Sequence, residues 1–263
     1  MEKPLKNKSA LVTGSTSGLG KGIAQALAAA GCNVMLSSFD QPAEIGAWQA
    51  EWTSLFGVQI DYHSADLAKP AKITELMART ISRFGGIDIL INNAGLQFIS
   101  PIDKFPEDKW ELILAVNLSA AFHTTKAALP DMRRRGWGRI INIASAHGLV
   151  GSPLKSAYVA SKHGLVGLTK ATALEAARDG ITCNALCPGF IHTNIVDRQI
   201  DDQTRLSGWT RERIMDELIL SKHPTKEFVR VEDVAAFALF LCSDAGAAVT
   251  GTALSIDGGW VAT

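Results

Sequence analysis

The chain has little cysteine and no pattern in what it has. Its four cysteines, at positions 32, 183, 187 and 242 of 263, form no CxxC pair and stand in no His/Cys cluster. Neither a metal site nor a disulfide framework is therefore expected. Small buried hydrophobes in a reducing cytoplasm are the expected role, with Cys183 and Cys187 on one face of a strand. Charge of one sign is lacking too: 26 Lys and Arg balance 26 Asp and Glu. No global field then gathers nucleic acid or an anionic membrane. No apolar run reads as long enough to cross a bilayer, and residues 1–8 lack the apolar core of a secretory signal. What remains is a cytoplasmic protein with a small-molecule partner.

What is present is alternation. Hydrophobic residues make up 47% of the chain. Short, nearly continuous apolar runs predict strands at Ser9–Thr13, Asn33–Ser37, 58–62, 87–92, 139–144, 182–186 and Ala253–Ile256. Runs without polar alternation suit parallel strands covered on both faces. Helical stretches fill the gaps at 18–30, 71–84, 107–135, 157–178 and Val231–Cys242. The pattern predicts an α/β fold: one doubly wound parallel sheet of Rossmann type, about seven strands, with helices on both faces and a single domain over 1–263. Residues 190–230 break the rhythm. They offer no strand, one helical candidate at 210–220, and the length of a substrate lid before the last helix and strand.

The first strand runs into Gly14-Ser15-Thr16-Ser17-Gly18-Leu19-Gly20, and a helix follows. Glycines permit a tight turn and close approach of backbone to phosphate, while the helix N-terminus offers free N–H groups and the positive end of its dipole. The spacing is GxxxGxG, and its place between strand and helix points to a dinucleotide. Asp66-Leu67 and Asn92-Asn93-Ala94-Gly95 follow later strands, at the carboxyl ends where open sheets bind ligands. Asp66 equally suits a helix N-cap.

Ser145 ends the strand 139–144. Tyr158 and Lys162 are four apart on a helix and so share a face. An ammonium beside a buried phenol is expected to lower the phenol pKa, letting Tyr158 exchange a proton with an alcohol near neutral pH. Ser145 can hold the carbonyl oxygen. Lys162 can also grip the nicotinamide ribose, and Asn117 in the helix 107–135 can anchor a relay water.

In this order the motifs Thr13-Gly14-xxx-Gly18-x-Gly20, Asn92-Asn93-Ala94-Gly95, Asn117, Ser145, Tyr158-xxx-Lys162 and Pro188-Gly189 resemble the short-chain dehydrogenase/reductase family over essentially the whole chain. Asp257-Gly258-Gly259 resembles its closing motif. The resemblance implies a catalytic tetrad of Asn117, Ser145, Tyr158 and Lys162. It also implies dinucleotide contacts from Gly14, Thr16, Ser17, Gly18, Leu19, Gly20, Asp66, Leu67, Asn93, Ala94, Gly95, Tyr158, Lys162, Pro188, Gly189, Ile191 and Thr193. A homotetramer, with the long helices and last strand at its interfaces, is implied as well.

Around the tetrad the segments 92–97, 143–149 and 152–158, with Gly258-Gly259-Trp260, are similar to the bacterial D-3-hydroxybutyrate-oxidising branch of the family. That likeness implies that Gln97, His147, Lys155 and Gln199 bind a substrate carboxylate, beside Ser145 and Tyr158, with Trp260 lining the pocket. The residue types agree: Gln97, His147 and Lys155 all donate hydrogen bonds, and Lys155 adds charge. Phe190 departs from a Trp in some members, which can reshape the pocket wall. For the cofactor, no Arg or Lys lies in 15–17 or 37–40 to meet a 2′-phosphate. Ser38 holds the strand-tip place, Asp40 would repel a phosphate, and Phe39 matches an adenosine contact, so NAD is expected. The expected reaction is NAD-dependent, reversible oxidation of (R)-3-hydroxybutyrate to acetoacetate. A 3-oxoacyl-carrier-protein reductase or a non-catalytic dinucleotide-binding protein are the alternatives.

Overall fold

A computed structural model of the chain describes residues 3–39 and 43–262. Seven parallel strands form one sheet in the order β3-β2-β1-β4-β5-β6-β7. They are β1 Ser9–Thr13, β2 Asn33–Ser37, β3 Ile60–Tyr62, β4 Ile89–Asn92, β5 Gly138–Ile143, β6 Ile181–Pro188 and β7 Ala253–Ile256. The α/β, doubly wound expectation therefore holds, and strand ends moved by a residue or two. The helices α1 Gly18–Ala29, α2 Ile45–Phe56, α3 Pro70–Phe84, α4 Glu107–Leu114, α5 Ala120–Arg135, α6 Ser156–Ala176, α7 Asn194–Ser207, α8 Arg211–Ile214 and α9 Val231–Cys242 complete it.

Alternate strand residues feed two separate cores, as a period of two requires. Ala10, Val12, Val34, Leu36, Ile89, Ile91, Ile141 and Ile143 face Ile23 and Leu27 of α1, Trp52 of α2 and Val234 and Leu241 of α9. Leu11, Met35, Leu90 and Ile140 face Ile73 and Leu76 of α3, Met132 of α5 and Ala173 of α6. Each such side chain withdrawn from water contributes about 1.5–3 kcal/mol toward offsetting chain entropy. Cys183 and Cys187 do share a face of β6, opposite Leu186. All four cysteines are free and buried.

Four sequence readings need correction. The helix expected at 107–135 is continuous but not uniform: residues Ala115–Ser119 form a π turn between α4 and α5. That stretch of 29 residues is also long and apolar enough to cross a membrane by length and composition, contrary to the sequence reading. Its apolarity has another outlet, since Ala120, Ala128 and Met132 pack in the core with α3 and β5. Helix α2 was not foreseen, although Trp48, Trp52 and Phe56 recur every fourth residue and pack on the same core. Helix α7 was missed because its sequence is mostly polar. Among its described side chains, Val196 and Ile200, one turn apart, are the buried apolar residues that mark its inner side.

Residues 190–230 contain no strand, as expected. Phe190, Val196, Ile200, Ile214 and Ile219 form their own small core there, with Trp260 and Phe228 against it. The chain turns back at this segment onto the C-terminal ends of the strands. The strand order places β1 beside β4, so the loops after these two strands diverge and open a crevice between them.

Candidate active site

The crevice is a cavity of about 550 Å3 running from the Gly-rich turn to Trp260. Its phosphate end is built from close packing. Gly14 has φ of 63°, and a Cβ there would lie 2.9 Å from Ala94 Cα. A Cβ on Gly20 would lie 2.2 Å from the Gly14 carbonyl oxygen. The turn is thus folded onto the β4 loop with no room for side chains. Asn93 Nδ2 pins the two together, donating to the carbonyls of Thr13 (2.9 Å) and Gly14 (3.0 Å). Thr13 Oγ1 accepts from the N–H groups of Asn93 and Ala94. Thr16, Ser17, Gly18 and Leu19 line the cavity at the start of α1, where free N–H groups can meet a pyrophosphate. Across the gap, Thr193 comes within reach of Gly18: a Cβ there would lie 3.3 Å from Thr193 Cγ2. A strand-turn-helix with bare backbone and a long cleft fits a dinucleotide.

At the cavity centre Ser145 and Tyr158 meet, hydroxyl to phenol. Ser145 sits at the N-cap of the short turn Ala146–Gly148, and its Oγ accepts from the N–H of His147 at 3.1 Å. Lys162, one turn beyond Tyr158 on α6, donates from Nζ to the Ile143 carbonyl (2.7 Å). Its ammonium is 5.6 Å from the Tyr158 ring centroid. Asn117, on the π turn, donates from Nδ2 to the Leu96 carbonyl and Ser161 Oγ, and accepts from the Leu96 N–H at 2.7 Å. A π turn shifts the register of one residue, which is how an interior helical position is turned toward a site. A Cβ on Gly95 would lie 3.6 Å from both Asn117 Oδ1 and Lys162 Nζ, so these groups converge beneath the β4 loop.

The electrostatics reverse one expectation. The Tyr158 phenol lies above its ordinary range, because burial opposes the phenolate more than the Ser145 hydrogen bond favours it. Burial likewise lowers the Lys162 ammonium to about 8. The lysine spends a donor on Ile143 and its charge is itself destabilised, so in the protein alone it does not overcome the desolvation of the phenol.

Beyond Tyr158 the wall is aromatic and polar. The His147 ring is edge-on to Trp260 at 4.8 Å and to Tyr158 at 6.0 Å. Burial and the Lys155 charge push His147 down to about 3, so it is neutral. Gln97 Nε2 donates to Gln199 Oε1 at 3.1 Å, which ties the β4 loop to α7. Phe190 stacks on Trp260, 5.1 Å between centroids and 16° between planes. Lys155 is only 4% exposed and has no carboxylate partner among the described residues. Its Nζ lies 5.4 Å from the Phe190 ring centroid, and burial lowers it to about 8.

A family model described as short chain dehydrogenase matches residues 8–204. The chain belongs to the short-chain dehydrogenases. It is 52% identical to a D-beta-hydroxybutyrate dehydrogenase of Rhizobium meliloti (strain 1021), over 97% of this chain and 99% of that one. It is 49% identical to a protein of the same name from Cupriavidus necator, over 98% and 99%. The crystal structure of a candidate short-chain alcohol dehydrogenase from Sinorhizobium meliloti 1021 superposes over 100% of both chains, with TM-score 0.87 and 33% identity.

In this short-chain dehydrogenase the cavity gathers most of the residues expected from sequence: the Gly-rich turn, 93–95, Gln97, Ser145, His147, Tyr158, Lys162, Pro188, Gly189, Ile191, Thr193, Gln199 and Trp260. Five others stand off its wall. Asn117 and Leu67 line a small void of about 10 Å3 behind Ala94. Asp66 accepts from the Ala68 N–H and pairs with Lys69 at 3.2 Å, as a turn-capping carboxylate does. Phe39 is 70% exposed at the tip of β2, and Lys155 sits behind Phe190. Asp40 lies outside the described residues. Sequence reasoning assigned no contact to Leu96, His192 and Val196, which line the cavity together with Ser38. It also passed over His223, whose only sequence signal is its place before Pro224.

Proposed function

We propose that this dehydrogenase oxidises (R)-3-hydroxybutyrate to acetoacetate with NAD, reversibly, and that Asn117, Ser145, Tyr158 and Lys162 are its catalytic set. The observation that carries the reading is Lys155. A buried ammonium without a counter-ion costs several kcal/mol unless a ligand supplies the missing charge. Neutral His147 and the amides of Gln97 and Gln199 line the cavity beside the Ser145–Tyr158 pair, and Lys155, set back against Phe190, supplies the charge that draws a small carboxylate to them. The acyl thioester of a carrier-protein substrate would leave that charge unpaired. The two relatives of about 50% identity carry a name for this activity.

Bound in its oxidised form, nicotinamide supplies a hydride acceptor and a positive charge. The Gly14–Gly20 turn, Asn93–Gly95 and 188–193 would hold the dinucleotide. Ser145 holds the substrate oxygen through its hydroxyl, and Tyr158 takes the hydroxyl proton as the hydride leaves C3. Lys162 adds charge that favours the phenolate, and Asn117 fixes the Leu96 loop that roofs this end. The carboxylate, held by Gln97, His147 and Gln199 under the Lys155 charge, selects the face of C3 that is offered. NAD rather than NADP is favoured because the described residues around Ser38 at the tip of β2 include no cation to hold a 2′-phosphate. Residues 190–230 act as the lid.

The assembly we propose is a homotetramer, consistent with exposed Phe122 and Leu174 on the long helices and Phe237 and Phe240 on α9. Four free buried thiols suit a reducing cytoplasm. The test is absorbance of reduced nicotinamide with (R)- or (S)-3-hydroxybutyrate, each with NAD or NADP. Activity confined to the R acid with NAD is expected; equal rates with both enantiomers would sink the carboxylate-site argument.

A further inference from the structure

His223 is buried completely, yet none of the chemistry above uses it. It lies where the return of the 190–230 segment meets the departure. Its Nε2 accepts from the Phe190 N–H at 2.9 Å. Its Nδ1 faces the Glu227 carbonyl at 2.6 Å. A carbonyl cannot donate, so Nδ1 carries the proton and Nε2 is free to accept: one tautomer satisfies both contacts. The Val229 N–H donates to the Phe190 carbonyl at 2.9 Å. Phe190 is therefore held at both backbone groups by residues that lie more than thirty positions later in the chain, and the two ends of the lid are tied at a single point.

That point is also the back of the substrate wall. The His223 ring lies 5.8 Å from the Phe190 ring and 5.9 Å from Trp260, which stack on each other in front of it. The fit is tight on the far side. A Cβ on Gly189 would come within 2.5 Å of His223 Nε2. A Cβ on Gly258 would lie 3.4 Å from His223 Cβ, and the Thr225 N–H donates to the Gly258 carbonyl. The imidazole is thus wedged between the turn after β6, the turn after β7 and the aromatic pair.

We propose that His223 is a positioning residue that fixes the Phe190–Trp260 wall through its bond to Phe190, and thereby sets how long a 3-hydroxy acid the pocket accepts. This rests on the hydroxy-acid reading of the site. With the wall fixed, an added methylene against it has to displace a stacked ring pair. With the tie cut, Phe190 can move and the pocket lengthens.

The test compares His223→Leu and His223→Gln. A glutamine side chain has one acceptor and one donor and can serve both contacts; leucine fills similar space and serves neither. The readouts are kcat and KM for (R)-3-hydroxy acids of four, five and six carbons, Kd for NADH by fluorescence, and amide exchange across 189–230. In the leucine variant the preference for four carbons over six should fall about tenfold, the scale on which pockets discriminate a methylene. The change should appear in KM, with NADH affinity within about twofold. The glutamine variant should keep the wild-type preference, and wild-type Phe190 should exchange slowly.

Unchanged chain-length preference in the leucine variant would overturn the proposal. So would a glutamine variant as relaxed as leucine. If the leucine variant does not fold, the glutamine variant and Phe190 exchange in wild type still decide, because rapid exchange there would show the tie to be absent. A wild type inactive on every 3-hydroxy acid would defeat the substrate reading instead, and the exchange data would still report on the tie.

Discussion

Replacing Lys155 with methionine separates stability from function in opposite directions. Burial lowers this lysine from 10.5 to about 8. At about 1.4 kcal/mol per unit, that is on the order of 3 kcal/mol against the folded state while the lysine is protonated. The lysine is nearly fully buried, so solvent screening removes little of it. The folded pKa lies below the unfolded one, so the penalty is full below pH 8. It fades as pH rises from about 8 toward 10.5, because there the unfolded chain binds the proton and the folded one does not. At pH 7 Lys155→Met should therefore stabilise the ligand-free protein, raising Tm at roughly 2–4 °C per kcal/mol. Activity should move the other way. Losing the cation that meets the substrate carboxylate should cost about 2–5 kcal/mol of binding, seen as a rise of about 30-fold or more in KM. The same logic gives the wild type a pH signature. Carboxylate binding keeps Lys155 protonated, so wild-type KM should climb above pH 8 by up to about tenfold per unit, while the methionine variant stays flat. The assays are differential scanning calorimetry without ligand and initial rates from pH 7 to 9.5. A variant with wild-type KM, or one that melts lower than wild type, would refute the account of Lys155 as an uncompensated charge awaiting a carboxylate.

Three further outcomes follow from the geometry. Tyr158→Phe should lower kcat by at least about 100-fold and leave the NADH dissociation constant within a few-fold, measured by stopped-flow and fluorescence titration. Gly20→Ala should abolish dinucleotide binding or folding, because the added Cβ would lie 2.2 Å from the Gly14 carbonyl; circular dichroism and NADH titration distinguish the two. Asn117→Ala removes a side chain that serves three hydrogen bonds, two of them to the part-buried backbone groups of Leu96, so chemical denaturation should show a loss of about 1–3 kcal/mol alongside a fall in kcat.

The parallel sheet was legible because its strands are nearly pure apolar runs, and a strand buried on both faces needs nothing else. The site was legible for a related reason. Gly14–Gly20, Asn93, Ser145 and Pro188-Gly189 each follow a strand, so a linear order of motifs maps onto one edge of the sheet. Less could be read where polar residues form elements. Among its described side chains helix α7 shows only Val196 and Ile200 as buried apolar landmarks, and the π turn at Asn117 lies inside an uninterrupted helical pattern. His223 looked like an ordinary loop residue, and Lys155, though assigned to the substrate carboxylate, gave no sign of its burial, since no sequence signal separates a solvated cation from a buried one.

Fold class, the dinucleotide turn and the Tyr158–Lys162 pair were all readable along the chain, because strand burial, glycine geometry and helical spacing are local properties. Charge states are not local and emerge only from the packed fold. Whether Tyr158 sits above or below its ordinary pKa, whether Lys155 has a counter-ion and whether His223 holds Phe190 depend on which distant segments exclude water around each group. Desolvation comes from the packing of neighbours far apart in the chain, and no stretch of sequence contains it.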